Sequence, residues 1–313
     1  MFWQGVFPQG GGGGGGGGGG PSTSTCPGGT TYATLTGSQN QYRPGTVPSG
    51  QKIVADSATW TGQLTYPVTF GTGVGGCFQG GTIWGTWQDG VDPWTTYHGT
   101  GGINLRSAPG GIVTGTTIIG YGDSFRVEDG SPGFQFRRVH AIMSHDDCFE
   151  DDHNWGGAIV DSFFESCYSG ISMASSFDPT IKSGKQRTLS VTRSIVRMEP
   201  MQSVYSGTSP GHGAWFKLDC ATSPQVRLDN VVLVAGLYPT NHQNYNPPCG
   251  LVHCANVKIL WTGDGTSRHP LAFPTKSAWQ SACPGVDITD NDPTGAQAQY
   301  DLYKSLWTSG AMW

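Results

Sequence analysis

Residues 144–153 read SHDDCFEDDH and place five carboxylates, Asp146, Asp147, Glu150, Asp151 and Asp152, within seven positions, with His145 and His153 at the two ends. The chain of 313 residues has 22 acids, so nearly a quarter of them fall in this one stretch. Two carboxylates ~4 Å apart repel by about 4 kcal/mol at an effective dielectric near 20. Such a cluster persists if one group keeps a proton, if a cation sits among the acids, or if all of them spread into water. The first arrangement sets a general acid beside a general base, and Asp146, Asp147 and Glu150 are its candidates. The second is a hard-cation site, for which Ca²⁺ with oxygen ligands is the expected ion, with Asp151 and Asp152 as candidate ligands. The third is a solvated acidic turn without chemistry.

A second stretch, PGHGAWFKLD at residues 210–219, carries complementary groups. Strand alternation assigns Ala214, Phe216 and Leu218 to a core face, and Trp215, Lys217 and Asp219 to a solvent face. An aromatic platform, a cation and an acid in a row suit a sugar-binding groove. His212 lies between two glycines, where backbone and ligand can approach closely. It joins the acids as a catalytic candidate, with His153 tuning them, and Lys217 and Arg126 are expected to hold a uronate carboxylate. An ordinary solvent-facing strand after a Gly-rich turn is the alternative. Trp84, Trp87, Trp94, Tyr97 and His98 form an aromatic run that either lines one end of a groove or anchors loops.

These residues sit in a chain of short β-type runs closed by Gly, Asp, Asn or Pro. Five segments share a pattern of alternating apolar residues, a polar turn and a second apolar pair: FQFRRVHAIMSHDDC, GAIVDSFFESCYSGISM, LSVTRSIVRMEP, VRLDNVVLVAG and NVKILWTGDG. Their starts lie roughly 23 to 37 residues apart, the range in which solenoid coils repeat. Each coil leaves an apolar edge that the next one covers. The expectation is an all-β parallel β-helix solenoid. A Gly-rich tether at 1–29 precedes it, the β-helix domain spans 30–285, and a short C-terminal capping helix and tail follow at 286–313. In NDPTGAQAQYDLYKSLWTSG, Asp292 suits the N-cap and Pro293 the first helical position, and Gly310 can end the helix. The helix is expected to lie as a lid over the last coil, with helix confined to the last ~25 residues. VDITDNDPTG at 286–295 is read as this helix cap and not as a calcium loop.

The segments resemble the repeats of right-handed parallel β-helix proteins, the pectin-lyase-like superfamily, over roughly residues 50–265. DDC followed by GHG and a downstream lysine is similar to the pattern of polygalacturonase-type glycosidases, whose acids comprise an NTD-type Asp and a DD pair. The resemblance implies a carbohydrate-active enzyme, with Asp146 and Asp147 as the acid pair, His212 as the GHG histidine and Lys217 as the substrate-carboxylate cation. The gap from Asp147 to Gly211 is longer than the pattern's. No NTD precedes the pair, and Asp123 in GDSFRVED is a loose substitute. The expected activity is hydrolysis of an acidic polysaccharide. The alternatives are a polysaccharide lyase using Ca²⁺, with Lys217 or an arginine as base, and a non-catalytic surface or adhesion module.

Alignment of DDCFED over ESCYSG stacks Cys148 on Cys167 as an inward-facing pair, at a coil spacing (~4.8 Å) that suits a disulfide or two buried thiols. If Cys148 points in, alternation turns Asp147 and Phe149 out, and bends around Cys148 are expected to swing most of the acids to the solvent side. The eight cysteines contain no CxxC pair, which favours disulfides over zinc. Cys254–Cys283 and Cys26–Cys77 are the expected further bridges, because each ties a terminal segment to the body. This favours an oxidising compartment, hence a secreted or cell-surface protein. The opening MFWQGVFPQG has neither region of a secretory leader, so either the true start lies upstream or export follows another route. A net charge of −5 offers no footprint for nucleic acid, and no apolar run reaches the ~18–20 residues of a membrane span. A polysaccharide is the expected partner, and a monomer the expected state.

Overall fold

The computed structural model describes residues 25–88, 92–173, 183–201, 211–237, 245–266 and 269–311. All the pairings between its strands are parallel, and the strands stack into three ladders that share one interior. The first ladder stacks Ile53, Phe78, Val113, Phe136, Ile159, Val191 and Leu228 in register. The second stacks Trp60, Ile83, Ile118, Ala141, Phe164, Val196, Leu233 and Ile259. The third stacks Val68, Ile103, Phe125, Phe149, Ile171 and Phe216. These columns are the core, and almost every member is fully buried. The chain is therefore an all-β parallel β-helix in which each coil covers its predecessor, as the repeats predict.

The polar residue between the two apolar pairs of each repeat has a local cause. Asp161, Asn230 and Asn256 adopt φ of 52°, 55° and 51° at the corner between the first and second ladders, and Gly80 and Gly115 occupy the same corner in earlier coils. A left-handed residue there turns the chain sharply, and Gly, Asn and Asp tolerate it at least cost.

Four disulfides join Cys26–Cys77, Cys148–Cys167, Cys220–Cys249 and Cys254–Cys283, and no free cysteine is present among the described residues. Such a set is typical of extracellular proteins. No helix among the described residues is long and apolar enough to cross a membrane.

The three helices among the described residues depart in part from expectation. Helix α1 (Trp94–His98) and helix α2 (Lys276–Ala282) lie outside the last ~25 residues, and both are too short for a periodic pattern to show in sequence. Helix α3 (Pro293–Ser309) forms as read, with Asp292 accepting from the Gly295 N–H and Gly310 left-handed at φ 73°. It lies along the flank of the solenoid and not across its end. Tyr300 and Trp307 pack on an apolar outer stripe of the second ladder made by Phe163, Ile195, Val232, Val234 and Leu260. Trp307 Nε1 donates to the Asp161 carbonyl, several coils back from the helix start. The interior is instead closed near the last coils by Trp279 of α2, whose indole N–H donates to the Tyr245 carbonyl, with Trp215, Phe273 and Trp261 around it.

Candidate acid–base site

The acidic stretch lies on the strand Ser144–Glu150, the third-ladder strand of its coil. Ser144 pairs with Cys167 but Asp147 pairs with Ser169, so one extra residue is accommodated between them. That irregularity breaks simple alternation. Cys148 and Phe149 are consecutive yet both fully buried, Cys148 in its disulfide and Phe149 against Phe134 and Phe136. The expectation that Phe149 faces out is thus corrected. So is the placement of the acids in solvent: Asp146, Asp147, Glu150 and Asp151 are all buried, and only Asp152 is partly open.

Three carboxylates converge. Asp123, at the register position of Asp147 one coil earlier, joins Asp146 and Asp147, and one oxygen from each lies within 4.8 Å of the others. The Asp147 N–H points to Asp123 Oδ1 at 3.4 Å. Cations ring this trio. Lys217 Nζ is 3.1 Å from Asp147 Oδ2 and 3.5 Å from Asp146 Oδ1. Arg126 Nη1 is 3.2 Å from Asp123 Oδ2 and 3.0 Å from Glu150 Oε2, and the same guanidinium reaches Glu128 and Asp152 at 3.7 and 4.0 Å. His98 Nδ1, at the end of α1, is 3.0 Å from Asp146 Oδ2. The placement follows from stacking: Arg126, Glu150, Ser172 and Lys217 occupy one column of the third ladder, beside the inward Phe column. With 22 % of the Lys217 side chain, 24 % of Arg126 and 32 % of His98 exposed, these residues form the mouth over a floor of acids.

The trio divides by proton affinity. Burial pushes Asp147 up to about 8, and Asp146 and Asp123 reinforce the shift against Lys217. Burial and Asp146 push Asp123 up to about 6 against Arg126. Asp146 is held below its ordinary value, because Lys217 and the His98 hydrogen bond outweigh its own burial. Glu150 is raised well above the usual range by burial and by Asp123. At neutral pH the cluster therefore keeps protons on some carboxyls next to an ionised one, the arrangement that acid–base chemistry needs.

The remaining residues of the sequence reading lie elsewhere. Asp151 is raised to about 7 by burial and sits in a turn, where the His153 and Gly156 N–H groups donate to its carboxylate at 3.2 Å each. Asp152 leans to Arg126. Among the described residues the carboxylates that converge closely enough to hold a cation are Asp123, Asp146 and Asp147, with Lys217 beside them, and not the Asp151–Asp152 pair named for calcium. Trp215 is the clearest reversal: it is buried in the aromatic core and donates to the Val234 carbonyl at 3.1 Å, so it offers no stacking platform. Asp219 binds the Ala221 N–H and the Thr222 hydroxyl and so builds a turn. His212 is buried beside the Tyr245 hydroxyl at 3.0 Å and lines a separate small cavity with Arg197, Glu199 and His269. Within the described residues 211–219, Lys217 reaches the acids, on Asp147 and Asp146. Of the aromatic run, Trp87 and Tyr97 are buried anchors, with Tyr97 against His145.

Sequence reading gave Asp123 only a loose place and named His98 only as part of an aromatic run. The 24-residue interval from Asp123 to Asp147, the same as from Phe125 to Phe149, is the signal that places Asp123 directly beneath the pair. Comparison with family models, with curated proteins and with solved structures finds no match to this chain.

Proposed function

We propose that this chain is a secreted, carbohydrate-active β-helix protein of the pectin-lyase-like kind that hydrolyses glycosidic bonds in an acidic polysaccharide. The observation that carries this reading is the trio of Asp123, Asp146 and Asp147, with proton affinities driven apart beneath a rim of cations. Asp147 holds the proton for the leaving oxygen. Asp146, ionised and nearest the mouth, takes the base or nucleophile role. Asp123 and Glu150 keep the proton affinity of Asp147 high. Lys217 is the contact for a uronate, because Arg126 is already surrounded by four carboxylates. A substrate carboxylate that draws Lys217 outward uncovers Asp147.

The lyase alternative would take Lys217 or an arginine as base, and these groups lie against carboxyls, Lys217 on Asp147 and Asp146 and Arg126 on Asp123 and Glu150. The non-catalytic alternative draws on the complete burial of Asp147, which a purely structural ion network would also give. A panel of acidic polysaccharides, assayed separately for reducing ends and for unsaturated products, tests the reading. Hydrolysis gives reducing ends without unsaturation, and Asp147→Asn removes them. Unsaturated products mean a lyase, and no cleavage of any polymer means a binding or adhesion module.

A further inference from the structure

We infer that His98 is the positioning residue of the acid–base site, where it holds Asp146 ionised and oriented; this rests on the hydrolase reading for its catalytic consequence but not for its geometry. The histidine that the sequence pattern offered for this role, His212, is buried beside Tyr245 and lines a different cavity. His98 is the ring that reaches the trio, with Nδ1 3.0 Å from Asp146 Oδ2. Its placement is built into the fold. Tyr97, fully buried against His145 at 4.5 Å between ring centroids, fixes the one-turn helix Trp94–His98 over the strand carrying Asp146. The Thr100 hydroxyl donates to the Tyr97 carbonyl and accepts from the Gly122 N–H, which ties the end of that helix to the corner before Asp123. A side chain at Gly122 would meet the Tyr97 and His98 carbonyls at 2.5 and 2.3 Å, so the close approach of these two segments requires glycine.

The charged groups that act on the ring are Asp146, Asp123 and Lys217. The hydrogen bond to Asp146 raises the proton affinity of His98 and burial opposes it, so the protonated ring and the ionised Asp146 stabilise each other. As pH rises through the raised pKa of His98, Asp146 loses the positive charge beside it, although the neutral ring can still donate from Nδ1, and Lys217 remains as its cation. His98 is therefore expected to set part of the alkaline limb of activity without gripping substrate.

The test uses the full chain. The His98 ring is titrated by NMR in the wild type and in Asp146→Asn. His98 is expected to titrate above the usual histidine value in the wild type and to fall in the variant, which lacks the Asp146 charge. An unchanged titration overturns the inference whatever the polysaccharide panel shows. A panel with no cleavage sinks the hydrolase reading while leaving the titration result standing. On a cleaved polymer, His98→Ala is expected to lower kcat about tenfold or more with KM within about twofold. His98→Asn, whose amide can donate from the position of Nδ1, is expected to restore most of kcat and to flatten the alkaline limb. Equal losses in both variants that follow their melting temperatures would mean a purely structural histidine and would overturn the assignment.

Discussion

Two carboxylate neighbourhoods, one partly and one fully buried, lie one coil apart on this solenoid, and their chemistry runs in opposite directions. On the second ladder, Glu165 accepts from His140 Nε2 at 2.9 Å and pairs with Lys304 of α3. These partners overcome its burial and bring its pKa down to about 2. His140 is itself held between Phe163, stacked at 4.9 Å, and Trp307 at 5.1 Å. Here one acid has two partners, His140 and Lys304, and the Lys304 pair fastens α3 to the coils. On the third ladder, acids outnumber cations, and Asp147 rises to about 8. The first arrangement is what a fold needs to stay together. The second carries repulsion that a fold alone has no use for, and such repulsion concentrates at sites that move protons.

The largest effect that separates the two is on rate. Asp147→Asn is expected to lower cleavage by about 10²- to 10⁴-fold, the usual scale for removing a general acid. Its melting temperature at neutral pH should stay unchanged or rise, because the amide stays neutral without the cost of holding a proton well above the ordinary aspartate value. Loss of stability with cleavage retained would place Asp147 in the same class as Glu165.

Next in size, Glu165→Gln should cost about 2–3 kcal/mol at neutral pH by urea unfolding, with cleavage unaffected. The pH dependence carries the same contrast. Glu165 binds its proton less tightly in the folded chain than its ordinary 4.5, so its contribution is complete above that value and is lost as pH falls toward about 2. Asp147 binds its proton more tightly than its ordinary 3.8, so its effect is the reverse: stability declines as pH rises from about 4 through about 8. Thermal melts across pH should lose the acid-side slope in Glu165→Gln and the neutral-side slope in Asp147→Asn. Interchanged slopes would contradict the comparison.

The smallest expected effect is at Asp219. Its carboxylate binds a turn N–H and a hydroxyl outside the acid cluster, so Asp219→Asn should cost less than about 1 kcal/mol and leave cleavage within about twofold. A large loss of rate there would extend the site beyond Lys217.

Much of the fold was legible because a parallel β-helix repeats one local solution. The Asp and Asn corners, the apolar pairs and the stacking of Cys148 on Cys167 each follow from residues near in sequence. The position of α3 was not legible, because the outer stripe of Phe163, Ile195, Val232, Val234 and Leu260 becomes continuous only once the coils are in register. The acids of 144–153 stood out at once, but their burial did not, since a single extra residue after Ser144 overturns the alternation that assigned their faces. Trp215 was misplaced for a related reason: alternation sets it opposite Phe216, while the end of the solenoid is closed by an aromatic cluster that draws it in. His98 had no local signature, because it reaches Asp146 through a one-turn helix 48 positions earlier in the chain.

The central claim is that Asp147 keeps a proton at neutral pH within a carboxylate trio. Carbon-13 NMR of aspartate-labelled protein across pH, with Asp147→Asn used to assign the resonance, reads this directly. A side-chain carboxyl that titrates near 8 and vanishes in the variant is the predicted result. An Asp147 carboxyl that titrates at or below the ordinary aspartate value would contradict it and reduce the cluster to a structural ion network.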